Sequence, residues 1–346
     1  MRKIWLFAFL SASLIHAASF DCTKAATPQE KAICASPALS QADDQMAAAY
    51  HAWLTAAAPD WAAAIRDDQR VWLHLRTTSC PAGKSSNPIE KCLSELYRSR
   101  IDELRSNVRQ IAGVTFIWRP LLLTARDEPD SIPTWATEVT PGYGTLQAAW
   151  PQVSSSAPEW VAWNHAIEAA ALKATSGDPG KPNSDWKSAA QPGVDQQISV
   201  SIDFFDGQLL EASLGNFFDG HGAHPNHNSS NFSWLVGKQR ELKPEDLFRA
   251  NSGWDTWMVQ RIDRYLHQSL DAESNGNYNT WFPQGDAPKL LRSIATDTER
   301  WGLNSKGLTI EFQPYEVACY ACTPEPLTIP WSDLKVYLQP AFAVPR

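Results

Sequence analysis

In the first third of the chain, apolar residues recur three and four apart. One run is Leu39, Ala42, Met46, Ala49 and Trp53. A second is Trp61, Ile65, Trp72 and Leu75, and a third is Leu93, Leu96, Tyr97, Ile101, Leu104 and Val108. This spacing predicts amphipathic helices that share one core. The start signals agree. Thr27 precedes Pro28 and Glu30, a capping box with proline at the first helical position, and Asn87-Pro88-Ile89-Glu90 repeats that logic. Residues 19–110 therefore read as a small all-α module.

After Gln110 the period changes. Thr115–Trp118 and Leu121–Leu123 read as strands, whereas residues 125–158 are rich in Pro, Gly, Ser and Trp without strong periodicity. Trp160–Lys173 predicts a helix, and Ser176–Val194 a loop. Ile198, Val200, Ile202 and Phe204 then alternate with polar residues, Asp206-Gly207 turns the chain, and Leu209–Phe218 returns as the second arm of a hairpin. A polar loop, Asp219–Asn228, leads to a strand over Asn231–Val236. A long helix is expected over Trp254–Leu270, with strands at Gly307–Phe312 and Leu327–Trp331. The predicted class is α+β: a small disulfide-linked all-α N-terminal module, then an α+β domain with an antiparallel sheet and packed helices.

The start of the chain adds a compartment. Met1-Arg2-Lys3 is basic, Ile4–Ile15 is mostly apolar but short for a bilayer span, and Ala17 and Ala18 are small. This is the pattern of a secretory leader, residues 1–18, and it predicts a periplasmic or secreted protein without a membrane anchor. The six cysteines, Cys22, Cys34, Cys80, Cys92, Cys319 and Cys322, are then expected as disulfides. The four in the helical module allow three pairings, which the sequence leaves open; their places on neighbouring elements favour 22–34 with 80–92. Cys319-Tyr320-Ala321-Cys322 has redox-motif spacing, but between strand-like segments it reads as a structural bridge. The whole chain carries 30 Lys and Arg against 38 Asp and Glu, and loss of the leader makes the balance more acidic. Acidity disfavours nucleic acid and suits a cationic partner.

The N-terminal motifs carry a resemblance. Phe20-Asp21-Cys22-Thr23-Lys24-Ala25, Thr27-Pro28-Gln29-Glu30-Lys31-Ala32-Ile33-Cys34, Leu39-Ser40 with Asp43, Asp68-Gln69-Arg70-Val71-Trp72-Leu73 and Cys92-Leu93 with Tyr97, Arg100, Ile101 and Leu104 resemble the LprI-like lysozyme-inhibitor family. A second set resembles the RsiV-type C-terminal domain over about 195–340, with 111–194 as its companion region. This set comprises Gly222-Ala223-His224-Pro225-Asn226, Leu242 with Asp246-Leu247-Phe248, Phe312-Gln313-Pro314-Tyr315-Glu316 and Thr328-Ile329-Pro330-Trp331. That domain is the lysozyme-sensing part of an anti-sigma factor. Two departures stand out: His221 replaces a usual glycine, and Cys319 and Cys322 interrupt an Ala-Pro-Tyr-Ala-Ala run. Without a membrane segment, the chain is not expected to be such an anti-sigma factor itself.

Both resemblances imply recognition of lysozyme or a related cationic muramidase, with inhibition by steric occlusion. Accessibility and polarity make His221, His224, Asn226, His227 and Asn228 the candidate contacts. The three histidines, spaced by three, are also residues that ligate zinc, but Gly and Pro between them favour a recognition loop, and no metal or cofactor is expected. No Gly-x-Ser-x-Gly, HExxH, P-loop or dinucleotide motif occurs, so no catalytic residues are assigned. The alternative is a cell-envelope accessory protein that binds peptidoglycan fragments through exposed aromatics. Trp160 with Trp163, or Trp254 with Trp257, would be the platform, although that spacing more often marks core.

Overall fold

The structure is a computed structural model that describes residues 18–80, 89–126, 143–176, 182–270, 278 and 287–345. The predicted leader, except Ala18, and the predicted Asn87-Pro88 cap lie outside them. The chain divides into two compact units, Met1–Val108 and Arg109–Arg346.

The described residues of the first unit form four α-helices: α1 (Pro28–Ala35), α2 (Pro37–Ala56), α3 (Ala62–Ser79) and α4 (Ile89–Ser106). Thr27 Oγ1 accepts from the Glu30 amide, and Glu30 Oε2 accepts from the Thr27 amide, so the capping box forms as the sequence predicts. The Thr27 amide, and after it the Ala26 amide, donate to Glu30 Oε2 and hold its carboxyl below its ordinary pKa. Ile33, Leu39, Met46, Trp53, Ile65, Trp72, Leu93, Ile101 and Leu104 are buried between the helices. Cys22 is bonded to Cys34 and Cys80 to Cys92. Two expected stripe members leave the core. Val108 starts a strand, and Leu75 lies 49% exposed. The buried face of α3 is Ile65, Gln69, Trp72 and Arg76, because its polar members find partners inside. Arg76 donates to the Tyr97 hydroxyl at 2.7 Å, and that hydroxyl donates to buried Asp43 at 2.7 Å. Gln69 donates to the Met46 sulfur and accepts from Arg100, which is also paired with Asp68. Each buried charge is thus matched, as a small core requires.

The second unit is built on a seven-stranded sheet in sequential order: β1 (Val108–Ile111), β2 (Val114–Arg126), β3 (Tyr143–Gln152), β4 (Asp195–Phe205), β5 (Leu209–Asp219), β6 (Asn226–Leu235) and β7 (Arg240–Glu241). β3 and β4 run parallel, so the sheet is mixed where an antiparallel one was expected. The connection between them carries α5 (Pro158–Ala174) and the short α6 (Trp186–Ala189), since a parallel pair needs a crossover. β3 lies inside the stretch without clear periodicity. Its buried residues, Leu146, Ala148 and Trp150, do alternate. Between one sheet face and α5 lies a core containing Phe116, Trp150, Trp163, Ile198, Leu214 and Phe232.

A second core gathers the rest of the unit: α7 (Pro244–Leu247), α8 (Trp254–Leu270), α9 (Ala287–Thr296), the three-stranded antiparallel sheet of β8 (Trp301–Leu303), β9 (Gly307–Ile310) and β10 (Leu327–Pro330), and α10 (Trp331–Leu334). Gly307 is required there, since a Cβ would meet the Ile329 carbonyl oxygen at 2.2 Å. The tryptophan pairs belong to these cores. Trp163 is fully buried, Trp160 packs edge-on to Phe116, and Trp254 stacks on Phe248. Among the described residues, no helix is long and apolar enough to cross a membrane.

Candidate functional site

The predicted polar loop is shorter than expected. β6 begins at Asn226 and pairs with β5 from its first residue, which leaves only Gly220–Pro225 as the turn. This pairing sorts the five candidate residues. His221 sits at φ +56°, with its amide bonded to Asp219 Oδ1 at 2.8 Å and its ring largely covered, 3.9 Å from Asp195. A left-handed backbone at this position accounts for the glycine usual in the resemblance, and histidine is among the side chains that tolerate it. His227 faces one side of the sheet beside exposed Phe217, its cross-strand partner, while Asn226 and Asn228 face the other side with Phe218 and Asn216. The five residues therefore do not form one surface.

His224 and His227 do come together, around two tyrosines. His224 Nε2 lies 3.0 Å from the Tyr315 hydroxyl and His227 Nδ1 lies 2.7 Å from the Tyr320 hydroxyl. The Tyr320 ring is 4.7 Å from the His224 ring, 5.2 Å from the His227 ring and 5.6 Å from the Tyr315 ring. The four side chains make a continuous aromatic and imidazole patch. Tyr315 is 53% exposed and occupies φ +63°, an unusual conformation for an aromatic residue. It is the third residue of a turn begun by Gln313 and Pro314 and closed by a bond from the Glu316 amide to the Gln313 carbonyl. A bidentate Arg300–Glu316 pair fixes that turn.

Tyr320 is positioned differently. It opens a single 3₁₀ turn, Tyr320–Cys322, closed by the Cys319–Cys322 disulfide. The bridge lies between β9 and β10. Gln313 joins the patch to the large sheet: its side-chain amide accepts from the Ser229 amide at 3.1 Å and donates to the Ser229 carbonyl at 2.6 Å. The histidines make separate contacts rather than a common centre. Among the described residues, no group of three or more His, Cys, Asp or Glu is placed to hold a metal ion.

The first unit presents a different kind of surface. Its exposed large apolar side chains, among the described residues, are Val71, Leu73 and Leu75, all on α3. Val71 and Leu75 are four apart and share one face.

Residues 22–104 match the family model of lysozyme inhibitor LprI, and residues 245–332 match that of DUF3298, a protein family of unknown function. The chain joins an LprI segment to a DUF3298 segment. No curated protein is matched. A DUF3298 family protein from Pseudomonas aeruginosa PAO1 is similar in structure, with a TM-score of 0.46, 13% identity, and coverage of 64% of this chain and 94% of that one. A DUF3298 family member from Bacteroides fragilis NCTC 9343 is similar with a TM-score of 0.45, 15% identity, and coverage of 67% and 96%. The LprI segment contains both helical disulfides, the Asp43–Tyr97–Arg76 network and the exposed face of α3. The DUF3298 segment contains Tyr315 and Tyr320 but begins after the turn that bears His221 and His224.

Proposed function

We propose that the protein is an exported, non-enzymatic inhibitor of lysozyme-type muramidases, acting by steric occlusion in the periplasm or outside the cell. The LprI match over residues 22–104 carries this reading. The three disulfides suit an oxidising compartment. Occlusion requires a rigid surface, and the LprI segment supplies one: two bridges and a matched buried polar network hold its helices. The exposed Val71 and Leu75 on α3 are the contact we assign, because apolar side chains at the centre of an interface contribute most when water is excluded. The candidate contacts around His224 and His227 belong to the other unit and act, on this reading, in a secondary role.

Lysozyme activity on cell walls, titrated with the oxidised protein, tests this reading. Stoichiometric inhibition is expected. The double variant Val71→Asp and Leu75→Asp should weaken inhibition at least about tenfold while its thermal melt stays close to that of the parent, since both positions face water. Full inhibition by the double variant would move the contact elsewhere; no inhibition of any lysozyme class by the parent would overturn the function.

A further inference from the structure

A cleft of about 380 Å³ lies within the second unit, between α5 and the β5–β6 pair, with β7 and the segment around Asp297–Arg300 at its rim. Its helix side is lined by Ala166, Ala169, Ala170 and Ala174. Larger side chains at these positions would fill the space; alanines leave it open. Its sheet side is polar. Asn216 and Asn228 are direct cross-strand partners on the face toward α5, so their amides stand side by side. Asn216 is only 4% exposed. Its Oδ1 accepts from Gln196, but its Nδ2 has no hydrogen-bond partner, and neither has Asn228 Oδ1. A buried amide left unpaired costs about 1–3 kcal/mol. Two such atoms, one donor and one acceptor, on adjacent strands of one cavity mark a place where a ligand supplies what the protein does not.

The charges select the ligand class. Lys173 is paired with Glu299, and Arg300 with Glu316, so these rim cations are already neutralised. That disfavours an anion. A ligand that meets a donor and an acceptor at once, and lays an apolar edge on an alanine surface, is a neutral polyol. A hydroxyl both donates and accepts, and the C–H face of a sugar ring is apolar.

We propose that this cleft binds one ring of a neutral carbohydrate, held by Asn216 and Asn228 against the alanine face of α5. The site is separate from the lysozyme contact, and its test stands whether or not lysozyme is inhibited. Ligand-observed NMR titration of the whole oxidised protein with glucose and with N-acetylglucosamine, inorganic phosphate serving as the anionic control, decides it. Saturable binding of at least one sugar in the millimolar range is expected, with phosphate not competing. Ala170→Leu should fill the cleft and weaken binding at least about tenfold with an unchanged circular dichroism spectrum. Asn228→Ala, a smaller change at the cleft wall, should weaken binding several-fold and serves if the first variant fails to fold. Absence of binding by both sugars, equal binding by a folded variant, or preference for phosphate overturns the proposal.

Discussion

Glu211 places a carboxyl where water is excluded. It lies on β5, 2% exposed, with Oε2 accepting from the Ser233 hydroxyl at 2.9 Å. Burial pushes its pKa well above the ordinary glutamate range, and nearby Asp203 adds to the effect, while the Ser233 hydroxyl and the Leu303 amide oppose it. The native state therefore keeps this proton to higher pH than the unfolded chain does. As pH rises above the ordinary range, the unfolded chain releases its proton first, and stability falls until the folded group also ionises. Within that window one group contributes a slope of about 1.4 kcal/mol per pH unit. Glu211→Gln removes the titration and keeps the shape. Urea unfolding of the second unit at pH 4, 6 and 8 should show the variant gaining on the parent as pH rises, by at least about 1 kcal/mol between pH 4 and pH 8. Parallel curves would show that the carboxyl is solvated in the native protein.

At the scale of the element, local signals were readable and borrowed ones were not. The α1 cap, the bounds of α8 and the β4–β5 hairpin are written in neighbouring residues, and each forms as the sequence predicts. Six of the ten residues of β3 are Gly, Ala, Gln or Pro, weak strand formers, and its extended shape is imposed by β2 and β4 on either side. The Asn226–Asn228 start of β6 reads as loop for the same reason, yet β5 pairs with it and Gln313 satisfies the strand's outer edge at Ser229. The core face of α3 departs from the predicted apolar stripe because Gln69 and Arg76 are buried with partners more than twenty residues away. The patch partners Tyr315 and Tyr320 lie more than ninety residues from the histidines they meet, so no local spacing could reveal them. The disulfides illustrate how element context sets energy. The bridges of the first unit each span a separation of 12 residues and Cys319–Cys322 spans only 3. Chain entropy then gives about 3 kcal/mol for each long bridge and about 2 kcal/mol for the short one. Cys80→Ser with Cys92→Ser should lower the melting temperature of the first unit more than Cys319→Ser with Cys322→Ser lowers that of the second, the smaller helical core having less in reserve. Equal losses would mean that strain or residual unfolded structure outweighs loop entropy.

For the whole molecule, charge is divided unevenly between the units. Residues 19–108 carry ten Lys and Arg against eleven Asp and Glu, whereas residues 109–346 carry 18 against 27. The segment that matches a lysozyme inhibitor is thus close to neutral, and the acidic field belongs to the second unit. An apolar contact on α3 and an acidic field elsewhere act on different rates. A field steers encounter over a distance comparable to the Debye length, about 10 Å at 0.1 M salt, and so raises the association rate. Short-range packing governs how long the complex lasts. Stopped-flow association with a cationic lysozyme, followed from about 20 mM to 500 mM salt, should show the association rate falling by about tenfold or more, with little change in dissociation. Reversing exposed acidic residues of the second unit, such as Glu325 and Asp333, should flatten that dependence and leave the dissociation rate alone. A salt effect carried instead by dissociation would place ion pairs inside the contact, and the apolar face of α3 would no longer be its centre.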